Sequence, residues 1–294
     1  MGFAEDLIAC LEQALAGQPV PRVRALHLPP AEAATSKNGE FCALELDDGA
    51  LGLSYVLLGN ALVRLLGSDD SKSIVGMDGL QLAREFAAPA GAGGDAGLRR
   101  MLGFAAANAL SRTVMDRMGF APPRAADSIG GIAPRAGEHI GMVGLFTPLL
   151  KQVTAAGARL TVIELNPERV GEYEGYHVTL DAGELEACDK VLSTSTILLN
   201  HTVDVILGHC RHARRIVLIG PSAGCLPDPL FARGVTRVGG SWVTDRTGFT
   251  DALLRGVSWS GFAYKFALAA ADWPGLPGAE GRVLSARDQE PGQE

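Results

Sequence analysis

Between residues 139 and 255, short apolar runs alternate with stretches of helical pattern, and this alternation constrains the fold more than any other feature. Residues 139–143, 159–165, 177–180, 190–193, 215–220 and 235–238 read as strands. Residues 148–156, 197–209, 228–233 and 249–255 read as helices. Strands that take turns with helices need crossover connections, and crossovers build a parallel sheet. Five or six strands of this kind predict an open sheet that binds ligands beyond the carboxyl ends of its strands.

The preceding 120 residues have a different texture. Leu7, Ile8, Leu11 and Leu15 fall at helical spacing, and Gly17-Gln18-Pro19 stops that helix. Residues 23–28 read as a strand, and 41–46 with 51–58 as a hairpin about Asp47-Asp48-Gly49. Helices follow over 79–88 and 96–118, the second rich in Ala and Leu, with the glycines at 91, 93 and 94 in a loop between them. Ala121-Pro122-Pro123-Arg124 has linker chemistry. The chain of 294 residues therefore divides into an α+β domain over 1–120, a Rossmann-like α/β domain over 121–275, and a loose tail over 276–294.

Composition removes several classes. With 26 basic and 33 acidic residues the net charge is −7, and no basic run supplies the phosphate attraction on which nucleic-acid binders depend. No apolar run approaches the ~18 residues of a membrane span. Met1-Gly2-Phe3-Ala4-Glu5-Asp6 places acid where a signal peptide carries base. The five cysteines are scattered with no C-x-x-C, as expected of reduced thiols in a cytoplasm. The expected partner is a small molecule or metal complex, with no nucleic acid and no membrane. The Ala-rich helix would serve a homodimer or a domain interface.

The strand map places small residues, hydroxyls and an acid on one edge. Gly141-Met142-Val143-Gly144-Leu145-Phe146-Thr147-Pro148 follows the first strand of the second domain, and its helix start favours an anion. Glu164 ends the next strand, 20 residues after Gly144, where dinucleotide folds hold their ribose-binding acid, although G-x-G-x-x-G itself is missing. Ser193-Thr194-Ser195-Thr196 follows another strand, with Asn200 and His201 early in the following helix. Gly220-Pro221-Ser222 and Gly239-Gly240-Ser241 follow two more, with Asp245 beyond. Gly220-Pro221-Ser222-Ala223-Gly224 matches a nucleophile elbow, but the last histidine, His212, precedes Ser222, so a hydrolase triad lacks its order. His209-Cys210-Arg211-His212 falls at a helix end on the opposite edge, where cations suit the dipole. His201 and Cys225 are the soft ligands on the site edge and hence the metal candidates, with a transition metal or metal complex as the cofactor they imply. Asn108, on the Ala-rich helix, joins the ligand-binding candidates, with a satisfied core amide as its other reading.

Taken in order, the 141–149 run, the loop from Ser193 through Asn200-His201-Thr202, Gly220-Pro221-Ser222, and Gly234-Val235 through Asp245 resemble the family described as "putative heavy-metal chelation". The resemblance runs from about residue 5 to 270, with residues 44–58 and Ala106-Ala107-Asn108-Ala109-Leu110 resembling its N-terminal part. It implies an enolase N-terminal-like domain, a Rossmann-like domain and a ligand cleft between them. It carries over Gly144, Phe146, Pro148, Thr194, Thr196, Asn200, Gly220, Pro221, Ser222 and Asp245 as site residues, with Ser195 in the same loop. The family's Thr-Gly-Thr-Thr before Asn has Ser195 and Ile197 in place of its Gly and last Thr, and His201 replaces the Gly after Asn.

Three functions compete at this stage, one of them a structural or interaction protein with a degenerate cleft. Another is small-molecule or metal-complex binding in the interdomain cleft, serving heavy-metal chelation or metal-cofactor handling. The third is an enzyme acting on a nucleotide-like or carboxylate substrate, with Glu164 and Asp245 as candidate general acid or base.

Overall fold

The computed structural model describes residues 2–57, 60–88, 96–127 and 129–276. The tail expected over 276–294 lies outside them from residue 277 on, as do the glycines at 91, 93 and 94 and residue 58 of the hairpin. Two compact units emerge: Met1–Arg124 with Gly220–Pro229 and Gly240–Phe266, and Ala125–Ile219 with Leu230–Gly239 and Ala267–Glu294. The first unit thus takes in two stretches that the linear division assigns to the later domain.

The first unit begins with α1 (Phe3–Leu15) and β1 (Val23–His27), then the hairpin β2 (Phe41–Leu46) and β3 (Leu51–Tyr55). The short helices α2 (Ala61–Gly67), α3 (Asp70–Ser73) and α4 (Gly79–Arg84) lead to α5 (Ala96–Arg117). The strands form an antiparallel sheet in the order β1-β2-β3. Asp78 caps α4 by accepting from the Leu80 and Gln81 amides, both at 2.9 Å. α5 is buried almost continuously from Leu98 to Met115 because α1, α4 and the sheet all pack on it. It is the central core helix of this unit. Close approach explains its small residues: a Cβ on Gly52 would lie 2.1 Å from the Ala105 carbonyl oxygen and 2.2 Å from the Ala109 nitrogen. The other face of β3 packs Leu51 and Leu53 with Phe249 and Leu253.

The second unit carries β4 (His139–Val143), α6 (Thr147–Ala155), β5 (Arg159–Ile163), β6 (Gly171–Tyr173) and β7 (Tyr176–Thr179). β8 (Lys190–Thr194), α7 (Val203–His209) and β9 (Arg215–Ile219) follow. The chain continues through α8 (Asp228–Phe231), β10 (Arg237–Val243), α9 (Arg246–Leu254) and β11 (Ala263–Ala269). The large sheet has eight strands in the order β11-β10-β9-β8-β4-β5-β7-β6. The β6/β7 pair is antiparallel, while β5/β7, β4/β5, β4/β8, β8/β9 and β9/β10 are parallel. Ile140, Met142, Leu160, Val162, Leu192 and Val217 form the core on which Val153 of α6 packs.

Several expectations need correction. The helix read over 197–209 begins only at Val203; a 3-10 turn, Ser195–Leu198, precedes it. Asn200 and His201 lie in the connection, and His201 adopts φ +64°. The strand expected over 235–238 runs from Arg237 to Val243, so Gly239 and Gly240 lie inside it rather than in a turn. A side chain on Gly240 would strike the Phe266 ring at 2.6 Å. The strands β6 and β11 and the helices α2 and α3 are additional. Among the described residues no helix is long and apolar enough to cross a membrane.

Candidate functional site

Counting from β4, the second unit's parallel strands lie in the order three-two-one-four-five-six, the arrangement of dinucleotide-binding sheets. Its switch point falls between β4 and β8, whose chains leave in opposite directions along the sheet. The loops after these two strands are therefore the place for a ligand.

Gly144 and Thr194 meet there. Gly144 turns the chain out of β4 at φ +83°, and a Cβ would sit 3.1 Å from the Thr194 methyl. Thr194 caps the 3-10 turn, its Oγ1 accepting from the Thr196 amide at 3.3 Å and donating to the Thr196 hydroxyl at 3.1 Å. Ser195 is buried behind them. Asn200 Oδ1 accepts from the Thr202 hydroxyl at 2.6 Å and its amide at 3.3 Å, an Asx turn that ends the apolar run before α7 begins. Its Nδ2 has no partner among the described residues. Phe146 packs partly on the sheet core, and Pro148 lies in the first turn of α6. His201 is exposed.

Glu164 reaches this edge in a committed state. Its Oε1 accepts from the Leu145 amide at 3.1 Å and from Arg169 Nη1 at 3.1 Å, and its Oε2 from its neighbour Leu165's amide at 3.0 Å. Sequence reasoning singled out Glu164 but missed Arg169, whose position five residues on was the available signal.

The remaining candidates cluster in the first unit. Gly220-Pro221-Ser222-Ala223 is a turn closed by the Ala223 amide on the Gly220 carbonyl at 3.0 Å, with Ser222 buried. Asn108 holds it: Nδ2 donates to the Ser222 carbonyl at 2.9 Å and to the Leu53 carbonyl at 2.7 Å. Its Oδ1 is buried without a partner. Ser111 adds a second tie by accepting from the Leu226 amide at 2.9 Å. Asp245 is exposed and caps α9 by accepting from the Gly248 amide at 3.0 Å.

Cys225 is buried in the same unit, and burial pushes its thiol up to about 12. Burial does the same to Cys42, Cys188 and Cys210. All five cysteines and six histidines are among the described residues, and these hold no group of three or more His, Cys, Asp or Glu side chains arranged for a metal ion. The residues present do not fit a protein-built heavy-metal centre, which needs converging thiolates or imidazoles.

Charge in the second unit gathers at the other, amino-terminal edge of the sheet. Lys190, buried at the start of β8, binds Glu138 at 2.8 Å and the Ala133 carbonyl at 2.5 Å. Arg214 pairs with Glu138 and, at 3.1 Å, with Asp189. Burial opposes ionisation of Glu138, yet the hydrogen bond and charge of Lys190 with the Arg135 amide and Arg214 hold its carboxyl below the usual range. The His139 amide, with Arg214, does the same for Asp189. Burial and then the Arg159 guanidinium depress His139.

Comparison with known proteins agrees with this architecture. Residues 132–271 match the model of a family, DUF364, described as "Putative heavy-metal chelation". A DUF364 protein of unknown function from Desulfitobacterium hafniense superposes with TM-score 0.65 at 19% identity, over 90% of this chain and 98% of that one. Another, from Pyrococcus horikoshii, gives TM-score 0.67 at 18% identity over 91% and 100%. A 1,2-dihydrovomilenine reductase from Rauvolfia serpentina is 28% identical over 116 residues, 35% of this chain. The match spans about a third, 31%, of that curated relative. Residues 132–271 thus match the DUF364 family model, and the chain shares the fold of two solved proteins of that family.

Proposed function

We propose that this protein binds a small organic molecule or a metal already complexed by one, at the switch-point edge of the second unit's sheet. The family's description supports a general metal-binding role. The carrying observation is the donor set: Thr194 lies against the Gly144 turn and bonds the Thr196 hydroxyl, Asn200 follows in the same loop with its Nδ2 unpartnered among the described residues, and every thiol but that of Cys10 is buried. Hydroxyls and amides recognise the periphery of an organic complex, whereas a bare soft metal asks for thiolate or imidazole. The metal is thus cargo, and its own chelator supplies the first coordination sphere.

A thermal-shift panel of free transition-metal ions, their citrate complexes and nucleotides tests this. Complexes stabilise the protein, free ions do not, and Asn200→Ala with Thr196→Val cancels the shift. A shift from free metal that disappears in His201→Ala with Cys225→Ala would refute it.

A second reading, an enzyme for a nucleotide-like or carboxylate substrate, is favoured by the strand order and by partial similarity to a reductase. It requires turnover that Glu164→Gln or Asp245→Asn abolishes while the fold persists.

A further inference from the structure

In a dinucleotide sheet, the loop after the first strand gives its amides to a pyrophosphate, and the acid ending the second strand reads a ribose. Here the same acid turns back onto the loop. Glu164 brings its carboxylate to the Leu145 amide at 3.1 Å, the Leu165 amide at 3.0 Å and the Arg169 guanidinium at 3.1 Å. Two main-chain donors and one cation form the kind of cradle that takes a phosphate. Two neighbouring amides are engaged as well. The Gly144 amide donates to the Ile163 carbonyl at 2.9 Å, the Leu149 amide to the Phe146 carbonyl at 2.7 Å, and Pro148 has no N–H.

We propose that Glu164 is a built-in anion occupying the position where related sheets hold phosphate, and that it is the specificity-determining residue that restricts this edge to ligands without a phosphate. The carboxylate is only 14% exposed and accepts from all three donors, so a phosphate seeking any of them would meet like charge there. This deepens the reading of a small-molecule site at this edge and rests on it for the ligand. The occupancy by Glu164 is tested separately.

The test uses the full chain and titrates it with ADP and with inorganic phosphate by calorimetry and thermal shift. Wild type gives no saturable binding. Glu164→Ala frees both amides and Arg169 and gains affinity for both probes by at least about tenfold, the worth of one charge-assisted hydrogen bond. Arg169→Ala in that background removes the gain. Glu164→Gln keeps an acceptor on the Leu145 amide and loses the charge, so it gains less than Glu164→Ala but more than wild type, which keeps the test open if the alanine variant does not fold. Wild-type protein that binds ADP and loses it in Glu164→Gln overturns the proposal, because Glu164 would then read a ribose. Variants that fold without gaining phosphate overturn it too. Failure of every metal complex to stabilise the wild type would instead strike the binding function, and leaves the gain of phosphate in the variants to decide the role of Glu164.

Discussion

Replacing Asn108 separates a structural amide from a ligand contact. Its Nδ2 is bonded to the Leu53 and Ser222 carbonyls at 2.7 and 2.9 Å, within a residue only 2% exposed. Asn108→Ala leaves both carbonyls buried without a donor, at about 1–3 kcal/mol each. It also removes the partnerless Oδ1, which returns roughly one such penalty. Truncating the side chain adds about 1 kcal/mol for the small cavity, so the net loss is about 2–4 kcal/mol. Urea unfolding in a Trp273→Phe background reads this in the first unit, where the two remaining tryptophans, Trp242 and Trp259, reside. Asn108→Asp is worse at neutral pH, since a carboxylate facing two carbonyls donates nothing, and it regains stability on acidification as the protonated acid supplies one donor. An alanine variant within about 0.5 kcal/mol of its parent would refute the reasoning. If that variant lost only ligand-induced stabilisation, Asn108 would be a binding residue.

Four further outcomes follow from the same geometry. In native protein, Ellman's reagent titrates a single thiol, the half-exposed Cys10, and fast reaction of a second one contradicts the burial of the others. Because His139 is depressed in the folded state below its ordinary 6.5, its contribution is complete above that pH and is lost as pH falls through the folded value; His139→Asn flattens this slope in pH-dependent unfolding, and an unchanged slope contradicts it. Gly144→Ala forces a side chain to φ +83° against Thr194 and costs about 1–2 kcal/mol, measurable as a lowered Tm together with a weaker shift from any ligand. Asp245→Ala costs about 1 kcal/mol as a lost helix cap while Asp245→Asn stays near wild type; if the asparagine variant instead loses a measured activity, the residue does more than cap α9.

Much of the second unit was legible in the sequence, and the reason is physical. β4, β5, β8 and β9 are flanked by neighbours, so their apolar runs are continuous, and the helices between them carry turn residues at their ends. The break before α7 was hidden because Ile197, Leu198 and Leu199 are all buried and extend the apolar pattern through a turn. The Asx turn at Asn200 and the positive φ of His201 are fixed by local geometry that residue types alone do not specify. β11 escaped because three of its seven residues are Ala and Lys265 interrupts the run, so that only Phe266 and Leu268 mark the alternation. The membership of Gly220–Pro229 in the first unit depends on Asn108 and Ser111, more than a hundred residues away in the chain.

For the candidate site, the sequence shows which residues strand order brings to one edge, and not the hydrogen bonds they make there. Strand order sends any reader to the edge holding Gly144, Glu164 and Thr194, because crossover handedness leaves a parallel sheet little choice about where its loops emerge. Spacing alone then makes Glu164 a ribose reader. The hydrogen bonds give its carboxylate another employment, and Leu145, Leu165 and Arg169 are what a nucleotide phosphate would have to win from it. A fold that places an acid beside its own anion cradle has two ways to use it: shield the cradle, or release it when a ligand supplies a better partner. Only in the second case does a phosphate ligand bind wild-type protein at all, at high concentration, and more tightly once Glu164→Gln has removed the charge. ADP titrations of wild type and Glu164→Gln side by side therefore distinguish a fixed filter from a displaceable one, and absence of wild-type binding at every ADP concentration leaves the filter as the answer.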